Sequence, residues 1–268
     1  MSNKLKKLLK IVSLISICLT CTFCGNKNVD NAKIDNENVK TESNSMEESV
    51  EETKIEKIDL SDVEDENLRA LLVSVDELNQ TLGQDIYVSK EDCIEYKDVK
   101  VSLIGDSIAE FSKTHLKKFF KNIWQDSVPG REMVVGIEAY DQMAKIDRVG
   151  DIMILSLGNN ALRGIELEVL EHVYEGVNGR PLIIPTIVMP YAGQERNRNR
   201  ELRHFVETHD NCYIADWNKI ARMSDKFISE DGVHPTGDGS RAYAQLMLKT
   251  IIEIMRNKNQ SLDKCIIN

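Results

Sequence analysis

Three short stretches hold side chains that could act together. Gly105-Asp106-Ser107 closes an apolar run, Val101-Ser102-Leu103-Ile104. Leu157-Gly158-Asn159-Asn160 follows a second apolar run, and Asp231-Gly232-Val233-His234-Pro235 precedes a long helical pattern. Together they supply a hydroxyl, a carboxamide, a carboxylate and an imidazole. A serine hydroxyl is a weak nucleophile at neutral pH, and needs a base to take its proton and a third group to orient that base. Asp231 and His234 have a spacing that lets a turn set the carboxylate on one ring nitrogen and leave the other for Ser107. The oxyanion that forms on attack needs donors, and the Ser107 N–H, a glycine N–H and the Asn160 amide are suitable. Each stretch also has a plainer reading. Ser107 could cap a helix, the asparagines could simply make a turn, and Asp231 to His234 could be a surface turn with a cap. Their common position at strand ends or before the last helix favours the nucleophilic reading.

The elements that must position these groups follow from hydrophobic periodicity. Strands are expected at Val99–Ile104, Met133–Val135, Asp151–Leu157, Pro181–Val188 and Cys212–Ala215. Helices are expected at Ile108–Asn122, Glu138–Asp147, Leu162–Val177, Glu195–Thr208 and Gly237–Arg256. This alternation implies a parallel sheet with helices on both faces, where function sits at the carboxyl edge of the strands. Leu68, Leu71, Leu72, Val75 and Leu78 recur at helical spacing, so residues 60–82 read as an amphipathic helix packed on that domain. The remaining histidines, His115, His172, His204 and His209, lie in helical patterns and read as structural.

The rest of the chain bounds where this domain works. Lys4, Lys6, Lys7 and Lys10 precede an apolar stretch from Ile11 to Cys24. That stretch is short for a membrane span and suits the core of a signal peptide, with an uncleaved anchor as the alternative. Cys24, before Gly25-Asn26, is the candidate for lipid attachment, although Cys21-Thr22-Phe23 departs from the small residues expected there. Residues 25–59 are rich in Asn, Glu, Ser, Lys and Asp and read as a disordered acidic linker. Residues 60–97 form the lead-in, and residues 98–268 form the main domain. Thr41 to Glu66 carries eleven acidic residues against two lysines, so nearly all of the formal charge of −10 lies there. No basic stripe marks a nucleic-acid partner. Cys93, Cys212 and Cys265 are an odd number beyond the leader, so no disulfide framework follows. Neither leader C-x-x-C spacing nor any H-E-x-x-H pattern argues for a metal, and no cofactor motif is present.

These residues carry a family resemblance over about Val99 to Met255. The chain resembles the SGNH/GDSL hydrolase superfamily. "IGDSI" matches the first block with Ser107 in the nucleophile position, "LGNN" matches the block that supplies Asn160, and "DGVHPT" matches the block of Asp231 and His234. "SVPGRE" is similar to the glycine block, which implies Gly130 as an oxyanion donor through its N–H; Gly136 in "VVGIEA" competes for that role. Arg131 would then support the glycine loop. The resemblance implies a three-layer α/β/α sandwich with a five-stranded parallel sheet in the order 2-1-3-4-5, and no metal or other cofactor. Within the superfamily, "SVPGRE", "ADWNKIA" and "DGVHPTGDGSRAYAQLM" are most similar to the extracellular domain of bacterial peptidoglycan O-acetyltransferases. Those proteins carry a multi-span acyltransferase portion before this domain. No such stretch precedes it here, so an acetyl donor would come from a separate membrane protein. Trp217, Tyr191 and Trp124 are the candidate sugar-stacking residues.

Three functions compete on this reading. One is an exported serine esterase that removes O-acetyl or similar acyl groups from a cell-envelope glycan. A second is a polysaccharide O-acetyltransferase that hands the same acyl group to a sugar hydroxyl with the help of a membrane acyltransferase partner. A third, of a different class, is a non-catalytic wall-binding lipoprotein, which would have no reason to keep Ser107, Asn160, Asp231 and His234 together.

Overall fold

Strand β1 (Val101–Gly105) is buried along its whole length and lies between β2 (Ile123–Ser127) and β3 (Ile152–Ser156). β4 (Leu182–Pro185) and β5 (Cys212–Ala215) complete a parallel sheet of five strands in the order β2-β1-β3-β4-β5. The computed structural model describes residues 55–266. The expected signal peptide or anchor of residues 1–24, Cys24 included, and most of the expected acidic linker lie outside the described residues.

Side chains alternate across the sheet, as a pleated strand requires. Val101, Leu103, Ile152, Ile154 and Ile183 enter one apolar layer, whereas Ile104, Met153, Leu155, Leu182 and Ile184 enter the other. The first layer is covered by α1 (Glu66–Leu82), α2 (Lys90–Tyr96), α3 (Ser107–Phe119), α7 (Trp217–Ala221) and α8 (Gly237–Ile266). The second is covered by α4 (Gly136–Lys145), α5 (Leu167–Val177) and α6 (Ala192–Thr208). This is the expected three-layer sandwich with the expected strand order.

The first strand pair shows where the site must lie. Gly105 is level with Ser127 on one side and Ser156 on the other, so three strands end together. The chain leaves β1 for one neighbour and later returns to the other. A crevice opens at that reversal, outside the carboxyl ends of the strands.

One expected element is wrong. Met133–Val135 is not a strand but a single 3-10 turn leading into α4. Met133 is buried while Val134 and Val135 are exposed, so the run is not a two-faced strand. The strand in that place is Ile123–Ser127, an edge strand with no fully buried residue. Its sequence, Ile-Trp-Gln-Asp-Ser, has no apolar run to announce it.

The N-terminal helix was expected from residue 60 and starts at Glu66. Asp65 stops it there by accepting the Asn67 and Leu68 N–H groups. Its buried face, Leu71, Leu72, Val75, Leu78 and Leu82, packs into the first apolar layer. Asn79 on the same helix exchanges two hydrogen bonds with the Val88 backbone, and Gln245 of α8 donates to its carbonyl oxygen. Residues before the helix are tied to it as well, since the Ile58 N–H donates to Asp76. Cys93 and Cys212 are free and buried, and burial pushes both thiols up to about 12, which leaves them unreactive.

Candidate active site

The nucleophile position is built by a strand that turns into a helix with no spare room. A Cβ on Gly105 would lie 2.4 Å from the Ala109 Cβ, so only glycine permits the turn. Asp106 is the N-cap of α3, and its side chain accepts the Ile108 N–H at 3.0 Å. Burial pushes the Asp106 carboxyl up to about 6, opposed by the Ile108 and Asn159 backbone N–H groups and by His234. Ser107 is thereby the first residue of the helix. Its own N–H belongs to the set that has no intrahelical acceptor, at the positive end of the helix dipole.

The base arrives from the loop before α8. His234 Nε2 lies 2.9 Å from Ser107 Oγ, and His234 Nδ1 lies 2.6 Å from Asp231 Oδ2. The Nδ1–H donates to the carboxylate, which leaves Nε2 to accept the Ser107 proton. The other Asp231 oxygen accepts from the Val233 N–H, the His234 N–H and the Ser229 hydroxyl at 2.8–2.9 Å. Burial opposes ionisation of Asp231, but these bonds and the one from His234 outweigh it. Its carboxyl is held well below the usual carboxylate range. Gly232 has φ +73, which a side chain would strain. The Ser229 N–H donates to the His234 carbonyl, and a bridge between Ile228 and Pro235 closes the base of the loop. Phe111, half exposed on α3, lies beside the imidazole with ring centroids 5.0 Å apart.

Two further loops flank Ser107. In the first, Gly130 has φ +74 within a turn closed by the Arg131 N–H on the Val128 carbonyl. That turn is tied to the nucleophile's strand, because the Val128 N–H donates to the Gly105 carbonyl at 3.2 Å. The Arg131 guanidinium donates to the same carbonyl and to the Asp126 carbonyl and carboxylate, the support expected of it. In the second loop, the Asn160 side-chain nitrogen is buried and has no hydrogen-bond partner among the described residues. A buried amide left unpaired costs about 1–3 kcal/mol, so an acceptor arriving there would be stabilised.

This geometry can be set beside known proteins. No protein-family model matches the chain. It is 24% identical over 166 residues to O-acetyltransferase OatA of Staphylococcus aureus (strain NCTC 8325 / PS 47), covering 60% of this chain and 27% of that protein. It is 23% identical over 144 residues to peptidoglycan O-acetyltransferase OatA of Listeria monocytogenes serovar 1/2a (strain ATCC BAA-679 / EGD-e), covering 54% of this chain and 22% of that one. The chain thus spans about a quarter of the length of these relatives. Its structure is similar to that of the C-terminal catalytic domain of Streptococcus pneumoniae peptidoglycan O-acetyltransferase A with a methylsulfonyl adduct. The TM-score is 0.50 at 16% identity, over 57% of this chain and 93% of that one. The fold is the one seen in that solved domain, a five-stranded parallel sheet between two helical layers.

Several expected site residues take other positions in this fold. Gly136 is not an oxyanion donor. Its N–H is taken by the Met133 carbonyl, and a Cβ there would strike Leu157 and Val169 in the apolar layer. It is a packing glycine. Trp217 is not a sugar platform either. It is 1% exposed and packs edge-on against Tyr243, with centroids 5.3 Å apart. The first residue of α7 turns its ring under the sheet instead of out over the edge. Trp124 is exposed but level with Ser102, toward the amino end of the strands, where Arg148 lies over its ring at 4.5 Å. Tyr191 is 66% exposed beside Pro190, the residue nearest a Cβ on Gly232, and of the three expected aromatics it is the one left exposed near the Asp231–His234 turn.

Sequence reasoning missed Phe111 and a polar ridge on α6. Glu195 is buried, accepts the Met189 N–H and pairs with Arg222 at 2.6 Å. Asn199 exchanges two hydrogen bonds with the Ile187 backbone. The signal was present: Glu195, Arg198, Asn199 and Leu202 recur at core spacing, but three of the four are polar. A run so rich in arginine reads as a solvated face.

Proposed function

We propose that this domain is an exported serine esterase of the SGNH type that removes O-acetyl or similar acyl groups from cell-envelope glycans. The observation that carries the reading is the unbroken chain from Ser107 Oγ through His234 to Asp231, at 2.9 and 2.6 Å. Ser107 Oγ attacks the ester carbonyl carbon as His234 Nε2 takes its proton. Asp231 holds the ring and stabilises the imidazolium. The negative carbonyl oxygen is received by the Ser107 and Gly130 N–H groups and the Asn160 amide. The C–O bond then breaks and His234 returns the proton to the departing alcohol. Water, activated by the same imidazole, frees Ser107 and releases the carboxylic acid. No step calls for a metal or another cofactor.

The glycan substrate is supported by the similarity to two O-acetyltransferases, one of them named for peptidoglycan. The same similarity favours a second reading, in which a sugar hydroxyl replaces water as acceptor and a membrane acyltransferase supplies the acyl group. Residues 1–24 act on either reading as the signal peptide or anchor that carries the domain to the outer face of the membrane. Cys24 is the attachment point if that anchor is a lipid. Tyr191 is the aromatic that meets the sugar.

The test is turnover of p-nitrophenyl acetate by the full chain beside Ser107→Ala. The esterase reading expects hydrolysis that the variant loses; equal rates would remove Ser107 from the reaction. Adding a chitooligosaccharide acceptor separates the two enzymes. Acetate alone supports the esterase, and acetylated sugar formed faster than acetate supports the transferase. Protease digestion of intact cells checks the location, since a chain that resists digestion until the cells are lysed is not on the outer face.

A further inference from the structure

Helix α6 presents four arginines between Arg196 and Arg203, and one of them differs from its neighbours. Arg196 and Arg200 are exposed, whereas Arg198 is 9% exposed and turned under the sheet edge. Its guanidinium donates to the carbonyls of Gly158 at 2.8 Å, Asn159 at 3.1 Å and Ala161 at 2.6 Å. The acceptors bracket Asn160, with the peptide oxygen before it and the one after it bound to the same planar group.

Two features set this apart from ordinary packing. Burying a guanidinium is costly unless it is paired and its donors are satisfied. The arginine ion pairs among the described residues belong to Arg131, Arg203, Arg222, Arg241 and Arg256, not to Arg198. Its positive charge is therefore balanced only by carbonyl dipoles of the loop that carries Asn160. The loop also cannot hold itself. Gly158 has φ +129, and within the segment a single backbone bond runs from the Ala161 N–H to the Gly158 carbonyl at a long 3.3 Å. Asn159 is anchored through its side chain to the Val188 carbonyl. The Asn160 side-chain nitrogen has no partner of its own.

We infer that Arg198 is a positioning residue for the oxyanion-binding loop: its fork holds the carbonyls of Asn159 and Ala161, the residues on either side of Asn160, so that the unpaired amide meets the developing oxyanion. The inference rests on the acyl-transfer reading above. It also assigns the charge a part. A cation bound to the Asn159 carbonyl polarises the peptide that continues as the Asn160 N–H, and its field favours negative charge on that side of Ser107. Arginine is required because lysine is a point charge that cannot bridge three carbonyls in one plane.

The experiment is a double-mutant cycle on p-nitrophenyl acetate hydrolysis by the full chain, with thermal melts of every variant. Arg198→Met is expected to lower kcat about 100-fold, the scale of a misplaced reacting group, and to leave KM within about 3-fold. Arg198→Lys keeps charge and stem, and is expected to lose about 10-fold with a melt close to the parent's. In an Asn160→Ala background, Arg198→Met is expected to cost less than about 3-fold, because the group it positions is gone. A parent-like kcat in Arg198→Met overturns the inference. So does an undiminished loss in the Asn160→Ala background, which would mark a general structural role. If Arg198→Met does not fold, Arg198→Lys completes the cycle, and a parent-like kcat there is equally fatal. If the parent is no faster than Ser107→Ala, the acyl-transfer reading falls and takes the inference with it. If the parent exceeds Ser107→Ala and the Arg198 variants match the parent, the inference alone falls.

Discussion

The Asp231–His234 turn, which meets Ser107, and the Asn160 loop are held in opposite ways. The Asp231–His234 turn braces itself. Asp231 alone accepts four hydrogen bonds, all from residues within three positions: Ser229, Val233 and His234, the last through both its backbone and its ring. The Asn160 loop has one weak bond of its own and is braced by Arg198, which is 37 to 40 residues away. The Asp231–His234 turn is therefore a local motif that any tolerant strand edge could carry. The Asn160 loop is held only in a fold that delivers α6 beside it. On the proposed acyl-transfer reading, proton transfer and charge stabilisation, which must share one carbonyl, are fixed by independent parts of the chain.

That independence can be broken by substitution, and the largest effect should come from the self-braced turn. Asp231→Asn keeps an oxygen to accept the Ser229, Val233 and His234 donors but no longer fixes the tautomer of His234. Turnover should fall about 10⁴-fold with little change in melting temperature. A large drop in stability instead would show that the carboxylate charge, not the oxygen, builds the turn. Asn160→Ala should cost about 10²–10³-fold in kcat, the value of one oxyanion donor, with the triad geometry intact. Loss of the serine's reactivity toward every electrophile in that variant would contradict the separation.

The polar ridge of α6 should show itself in stability. Asn199→Ala leaves the Ile187 N–H buried and unpaired, while the Ile187 carbonyl keeps its bond from Asn218, and should cost about 1–3 kcal/mol in denaturant unfolding. An unchanged midpoint would remove the ridge from the account. A pH dependence is expected at Asp106, which caps the helix of Ser107 and lies beside the Asn159 backbone N–H. Its folded carboxyl is raised from 3.8 to about 6, so the folded state binds more protons between those values and stability falls as pH rises through that window. Asp106→Asn still caps α3 but carries no charge. It should stabilise the chain above pH 6 by on the order of 3 kcal/mol, and by nothing below pH 4. Asp231 runs the other way: its lowered value contributes stability above its usual range, lost as pH falls below it.

The same contrast explains what was legible in the sequence. Ser107, Asp231 and His234 could be read because the turn that holds the last two is contained in its own residues, and because a buried apolar run ends at the first. The parallel sheet was legible from its fully buried strands. Ile123–Ser127 was not, since an edge strand half open to water has no reason to be apolar. Gly136 and Trp217 misled because a glycine's N–H and an indole's face look available until the packing that uses them is seen. Arg198 was hidden by its neighbours: burial, not residue type, distinguishes it from Arg196 and Arg200. Contacts made across about 40 positions leave no local trace in a single chain.

The claim that matters most is that Ser107 Oγ takes the acyl group. Acid quenching of the full chain during turnover of p-nitrophenyl acetate, followed by mass spectrometry of its peptides, tests this directly. The account predicts one acetyl group on the peptide that begins α3, on Ser107, and none in Ser107→Ala. Acetyl found on another residue, with turnover undiminished in Ser107→Ala, would contradict it.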